Sequence, residues 1–239
     1  MKLTTPIYHL KRQARVLSRK ESIPLHEALN RIAIREGFTS WSLLAAKLAS
    51  APVAQRLFAQ LTPGELLLVA ARPGHGKTQL SLEIAIAAMK SGRRSTFFSL
   101  EWTEKQCSEA FLTIGENMAD YVGLFEFDGS DLICAETIQK RLETAPRGSF
   151  VVIDYLQLLD QRRETPELAV QVRSLKTFAK ERGLILAFIS QIDRSFEGMS
   201  KVTPGLKDVR LPNSLDLTLF DKSCFLNNGE VQFRAVGSI

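Results

Sequence analysis

The sequence predicts an α/β fold: a mostly parallel sheet covered by helices, preceded by a small basic helical domain. Three observations carry this. From residue 64 onward, short apolar runs alternate with segments of helical periodicity. The leading run, LLLVA at 66–70, is continuously apolar, as a strand buried on both faces requires. The basic excess is confined to the first fifth of the chain: residues 1–50 carry nine Lys/Arg against three Asp/Glu, the remainder 22 against 23. Such asymmetry marks an attached module with its own partner.

Taken in order, PIYHLKRQARVLSRK (6–20) places Ile7, Leu10, Ala14 and Leu17 at helical spacing and leaves Lys11, Arg12, Arg15 and Arg19 elsewhere. PLHEALNRIAIRE (24–36) opens with proline in the first turn, repeats Leu25, Ala28, Leu29 and Ile32, and stops at Gly37. SWSLLAAKLA (40–49) starts on Ser40 as an N-cap. These make a three-helix domain over 1–50, and 51–64 reads as a linker with a helical middle. The domain over 65–239 follows: strand 66–70, helix 77–90, strand STFFSL (95–100), helix 103–115, helix 135–144, strand SFVVIDY (149–155), helix 164–182, strand LILAFIS (184–190), and two tail strands, SLDLTLF (214–220) and EVQFRAV (230–236). A turn at Asn227, Asn228 and Gly229 precedes the last strand.

The strongest motif is Ala71-Arg72-Pro73-Gly74-His75-Gly76-Lys77-Thr78, set between strand and helix. It fits the Walker A pattern with alanine in place of the first glycine. Glycines let successive N–H groups turn toward a phosphate, and the following helix adds the positive end of its dipole. Arg72, Pro73, Gly74, His75, Gly76, Lys77, Thr78 and Gln79 are therefore the candidate nucleotide-binding residues, with Lys77 facing the β and γ oxygens and Thr78 ligating Mg²⁺. The expected cofactors are ATP and Mg²⁺.

Asp154 closes an apolar strand, the Walker B arrangement, and is the second candidate metal ligand. Glu101 follows STFFSL at the edge where strand carboxyl ends converge, and a carboxylate there can polarise an attacking water; an exposed residue of the next helix is the plain alternative. Gln191 follows LILAFIS in the same way, either as a sensor of the γ-phosphate or as a surface glutamine. Glu101, Lys77 and Gln191 form the candidate catalytic set.

With these residues placed, the chain resembles RecA-type ATPases, most closely the motor domain of the DnaB-type replicative helicases. The resemblance rests on LTPGELLLVAARPGHGKTQLSLEIA (61–85), FFSLEWTEKQ (97–106), VVIDYLQLL (151–159), VRSLKTFAKERGL (172–184) and ISQIDRS (189–195), in the family's order. Residues 1–50 are not matched by it. It implies a RecA-like P-loop domain, Glu101 as the activator of water, and Gln191 as the link between ATP and DNA. It also implies a homo-oligomer, with a hexamer among the sizes left open, and single-stranded DNA or another nucleic acid as partner through Arg194, Lys201 and Lys207. One departure bears on turnover. The family places a Lys/Arg finger with K-x-R spacing after the position of Phe220, and DKSCFLNNGEVQFRAVGSI contains none.

Three functions follow: an ATP-driven helicase or DNA remodeller, a nucleotide-gated regulator binding DNA or protein with slow or no hydrolysis, and a small-molecule kinase. No arginine-rich lid segment stands out for the last. The basic head, through Lys11, Arg12, Arg15 and Arg19, suits nucleic-acid phosphates, an acidic protein partner or plain solvation. Cys107, Cys134 and Cys224 form no C-x-x-C pair, so neither a disulfide framework nor a zinc site is indicated. A reducing, cytoplasmic setting is expected, without a membrane partner, because no apolar stretch is long enough to span a bilayer and the start has no signal-like apolar region.

Overall fold

Helical periodicity at the start of the chain folds as α1 (Ile7–Glu21), α2 (Leu25–Arg35) and α3 (Trp41–Ala49). Leu10, Ala14, Ala28, Ile32, Ala33 and Leu44 form a buried cluster, with Ile7, Leu17 and Trp41 packed against it. Gly37 takes a φ of 83° between α2 and α3, and the Trp41 N–H donates to Asn30 Oδ1 at 2.9 Å, which fixes the start of the third helix. A fourth helix, α4 (Val53–Phe58), fills the middle of the expected linker and buries Ala54 and Leu57.

The computed structural model describes residues 7–131, 133–160, 165–198, 203–211 and 213–237, and the chain divides into two compact units, 1–62 and 63–239. In the second unit the elements are β1 (Leu66–Ala71), α5 (Lys77–Lys90), β2 (Ser95–Ser99), α6 (Glu104–Ile114), β3 (Phe125–Asp128), α7 (Ala135–Arg141), β4 (Phe150–Asp154), α8 (Leu168–Arg182), β5 (Ile185–Gln191), β6 (Lys222–Asn227) and β7 (Glu230–Ala235). They form one sheet in the order β3-β2-β4-β5-β1-β6-β7, parallel throughout except for the β6–β7 hairpin. All six residues of β1 are buried, which explains its unbroken apolar run. Leu66, Leu68 and Ala70 join a cluster with Ile138 of α7 and with Val172, Leu175 and Ala179 of α8. Alternate residues point to the opposite face, where α5 packs on β1, β2, β4 and β5.

The structure departs from the sequence reading at four places. SLDLTLF forms no strand: Asp216 Oδ1 accepts from the Thr218 N–H at 2.9 Å and from its hydroxyl at 2.6 Å, and the backbone coils into a short 3₁₀ turn over Leu217–Leu219. The place beside β1 goes instead to β6, whose apolar centre is only Cys224, Phe225 and Leu226. Edge strand β3 also went unread, because F-E-F-D is four residues of half-buried alternation. Finally, α8 begins at Leu168 rather than 164, behind Pro166. Among the described residues no helix is long and apolar enough to cross a membrane.

Candidate nucleotide site

β1 ends at Ala71, and the chain turns through Gly74 (φ 77°) and Gly76 (φ 80°) before α5 starts at Lys77. A side chain at either glycine would meet nothing within 4 Å, so these positions are glycine for their left-handed backbone and leave open space above the turn. The His75 N–H donates to the Arg72 carbonyl at 3.2 Å and closes the turn. Lys77 and Thr78 are buried at the head of α5, whereas Gln79 is exposed and its side chain bonds Glu83 at 3.1 Å.

Parallel pairing brings the other candidates to the same edge. Ser99 of β2 lies opposite Asp154 of β4, Asp154 opposite Ile189 of β5, and Ala71 opposite Gln191. Asp154 thus sits one pleat below the sheet edge, and Glu101 and Gln191 stand at the edge itself. Ser99 Oγ accepts from both the Glu101 and the Trp102 N–H groups at 3.1 Å, which orients the turn carrying Glu101. Thr103 and Gln106 then cap α6 reciprocally.

Asp154 is fully buried, and neither of its oxygens meets a partner at hydrogen-bond geometry. Burial first, and then the charge of Glu101, push its pKa from 3.8 to about 7, while Lys77 and the nearby Thr78 hydroxyl pull it down. A buried carboxylate left unpaired beside a lysine and a threonine fits a cation carried on phosphate oxygens. Among the described residues no group of three or more His, Cys, Asp or Glu could hold a metal ion.

Beyond β5 the chain makes a clasp that sequence reasoning missed. Ile192 bridges Val209, the Arg210 N–H donates to the Gln191 carbonyl at 2.8 Å, and the Asp193 N–H donates to the Asp208 carbonyl at 2.8 Å. Gln157, three residues after Asp154, donates from Nε2 to Ser190 Oγ at 3.2 Å and to the Arg210 carbonyl at 2.7 Å. The stretch leaving this clasp carries exposed Arg194 and Lys207; Lys201 lies outside the described residues. Gln157 belongs to the D-Y-L-Q run, but nothing in that run announces its partners. At the hairpin tip, the Asn228 N–H donates to His75 Nδ1 at 3.4 Å. Lys222, the cation nearest the position of the expected finger, is turned inward to Glu65 at 3.8 Å with its side chain 15% exposed.

In the first unit, Lys11, Arg12, Arg15 and Arg19 are all exposed on α1. Arg31 takes both Glu21 and Glu27, at 2.6 and 2.7 Å, so two of the unit's acids are engaged elsewhere. Arg12, Lys20 and Arg35 also rim a groove of about 440 Å³ over Val16, Leu17 and Ile32.

Sheet order, glycine turn and edge carboxylates together define a RecA-like P-loop domain. A model of the DnaB-like helicase C-terminal domain family matches residues 54–121 and 128–217, and the chain belongs to that family. It is 29% identical over 198 residues to the replicative DNA helicase DnaB of Mycoplasma genitalium, covering 66% of this chain and 42% of that protein. Similarity to the DnaB of Haemophilus influenzae is 29% over 194 residues (66% and 41%), and to a probable plasmid replicative DNA helicase of Chlamydia muridarum 28% over 194 residues (67% and 43%). The chain thus spans less than half the length of these curated relatives. Among solved structures, a DnaB-like replicative helicase described with its primase interactions superposes with a TM-score of 0.61 at 19% identity, over 96% of this chain and 71% of that one. A KaiC-like protein of the archaeon Pyrococcus horikoshii gives 0.56 at 17% identity, over 78% and 86%.

Proposed function

We propose that this chain binds ATP with Mg²⁺ at the turn between β1 and α5, hydrolyses it, and works as a homo-oligomer on single-stranded nucleic acid. The observation that supports this best is the buried, unpaired Asp154 carboxylate between the edge positions of Glu101 and Gln191 and beside the head of α5. In this reading, Thr78 and Asp154 hold the metal, whose role when bound is to offset phosphate charge. The backbone of residues 72–78 and Lys77 grip the triphosphate, and Glu101 takes the proton of the attacking water. Gln191 stands where a change at the phosphate can pass into the clasp and on to Arg194 and Lys207. Steady-state ATPase rate measured against protein concentration, with and without single-stranded DNA, tests it. Specific activity is expected to climb with concentration, because sites are shared between subunits, and to climb again with DNA. A specific activity indifferent to both would defeat the motor reading.

A second reading, a nucleotide-gated binding protein with slow turnover, draws support from the hairpin. No K-x-R lies beyond Phe220, and Lys222 is committed to Glu65 within its own chain. Because a finger contributes about 10³–10⁵ in turnover, a β6–β7 hairpin that offers none predicts ATP-dependent assembly with little phosphate release. Light scattering with ATP then shows a mass change while the phosphate signal stays flat. Fast turnover would remove this reading.

A further inference from the structure

The sheet edge opposite the nucleotide site carries a row of arginines. β2, β4 and β5 are adjacent, and each is entered through a turn that couples arginine to a left-handed glycine. The turns are Gly92-Arg93-Arg94, Arg147-Gly148 and Arg182-Gly183, with glycine φ of 77°, 84° and 67°. Ser95 pairs with Phe150 and Phe150 with Ile185, so the three turns lie at one level. Main-chain bonds stitch them together: the Phe150 N–H donates to the Arg94 carbonyl at 2.9 Å, and the Gly148 N–H to the Gly183 carbonyl at 2.8 Å. Arg93 Nη1 donates to the Arg147 carbonyl at 3.2 Å. Two of the guanidinium groups lie over the neighbouring turn's glycine. A Cβ on Gly148 would meet Arg93 Nη1 at 2.6 Å, and one on Gly183 would collide with Arg147. Gly148 and Gly183 are thus required both for their φ and for the side chain laid across them.

All four arginines are exposed, and among the described residues none meets a carboxylate at ion-pair distance. The dipole at the end of α8 accounts for Arg182, which lies in its last turn. It does not account for Arg93, Arg94 or Arg147, because α5 ends at Lys90 and α7 at Arg141. Residues 91–95, 145–149 and 181–184 contain one acid, Glu181. None of the exposed large apolar side chains falls in these turns. An acidic protein segment would seek apolar anchors at the centre of its contact, whereas a phosphate backbone needs only guanidinium groups and space. Adjacent strands stand about 4.8 Å apart, so the row concentrates its charge within roughly 10 Å.

We propose that this row is a second nucleic-acid contact, gripping phosphates at the end of the sheet away from the nucleotide. It goes beyond the motor reading and rests on it only for the nature of the polyanion. The test is anisotropy of a fluorescein-labelled oligothymidylate titrated with the full chain across a KCl series. Changing Arg93, Arg94, Arg147 and Arg182 together to Gln is expected to flatten the slope of log affinity on log salt by about 3, since each single-strand phosphate contact contributes about 0.7. The same four changed to Lys should keep the slope. If the fourfold Gln variant fails to fold, Arg94→Gln with Arg182→Gln, which leaves the main-chain bonds between the turns and the Arg93 bond in place, should flatten it by about 1.4. An unchanged slope in the folded variant overturns the row. Arg194→Gln with Lys207→Gln is measured in parallel, so loss of slope there alone leaves the motor reading standing without the row. Displacement of the labelled strand by polyglutamate at a lower concentration of charge than unlabelled oligothymidylate requires overturns the proposal in favour of a protein partner, and a wild type that binds no oligonucleotide overturns both contacts.

Discussion

Replacing Asp154 by Asn separates what this residue does for stability from what it does for the nucleotide. The side chain is fully buried without a hydrogen-bond partner, and its pKa is raised from 3.8 to about 7 by burial and by Glu101, against the pull of Lys77 and Thr78. A raised carboxyl pKa means that the folded chain holds this proton more tightly than the unfolded chain does. Its contribution to stability is therefore complete below the unfolded value near pH 4 and is lost as pH rises through about 7. Three pKa units at about 1.36 kcal/mol each give a penalty of ~4 kcal/mol in alkaline buffer, an upper figure because relaxation softens the cost of a buried charge. Asparagine carries no such penalty. In EDTA at about pH 8, Asp154→Asn is expected to raise stability by ~2–4 kcal/mol, or roughly 4–16 °C in melting temperature for a domain of this size. The gain should shrink at about pH 5, where part of the penalty is already relieved by protonation. The same substitution should abolish the thermal shift produced by ATP with Mg²⁺, because one of the two proposed ligands loses its charge. Calorimetric melts of both proteins, in EDTA and with Mg-ATP at the two pH values, read all of this. A variant less stable than wild type in alkaline EDTA, or one that keeps its Mg-ATP shift, refutes the argument.

Lys77→Ala should lose the ATP-induced thermal shift, because Lys77 is the buried cation at the head of α5; an undiminished shift would remove it from the phosphate grip. Glu101→Gln should keep the shift and lose hydrolysis by about 10²–10⁴-fold, the usual contribution of a general base, and equal rates would end that assignment. Gln157→Met removes the donors to Ser190 and Arg210, so DNA stimulation of the ATPase should fall further than the basal rate; losses in equal proportion would make the clasp merely structural. Glu116→Gln addresses pH-dependent stability at a distance from the site. The Lys90 ammonium and then the Tyr121 hydroxyl hold the Glu116 pKa down, so its contribution is present above its ordinary value of 4.5 and lost as pH falls through the depressed one. The variant should melt lower than wild type by under about 1 kcal/mol at neutral pH and match it in strong acid, and an equal deficit at both would point to packing instead.

What the sequence made legible follows from burial. β1, β4 and β5 lie near the centre of the sheet, and their apolar runs could be little else; α5 was bounded at Lys77 and Lys90 because a glycine turn precedes it and Gly92 follows. The shorter apolar runs were harder to read. Edge strand β3 is four half-buried residues, β6 has an apolar centre of only three, and SLDLTLF shows alternation that one aspartate diverts into a local turn. The site divides the same way. Lys77, Thr78 and Asp154 stand in patterns that spacing alone reveals, whereas Gln157 acts on Ser190 and Arg210, 33 and 53 residues away, and no local signal reports such a partner. The arginine row was hidden for a related reason. Arg93, Arg147 and Arg182 are scattered through the sequence, and only the register of three parallel strands sets them side by side.

The hairpin sharpens the question of turnover. A finger acting on a neighbour must project a free cation from the tip, yet the tip here is Asn227-Asn228-Gly229, and its Asn228 N–H is directed at His75 in the β1–α5 turn of its own chain. Arg234 cannot substitute from within the hairpin: it lies opposite Ser223, and Ser223 opposite Leu68, near the start of β1 rather than at the nucleotide edge. Any trans-acting cation must therefore come from outside β6 and β7. Arg194 and Lys207 are exposed beyond the clasp at the nucleotide edge, so removing both should leave ATP binding intact while the concentration-dependent part of the ATPase disappears. Retention of that dependence would exclude them as the source and send the search for a trans-acting cation elsewhere outside β6 and β7.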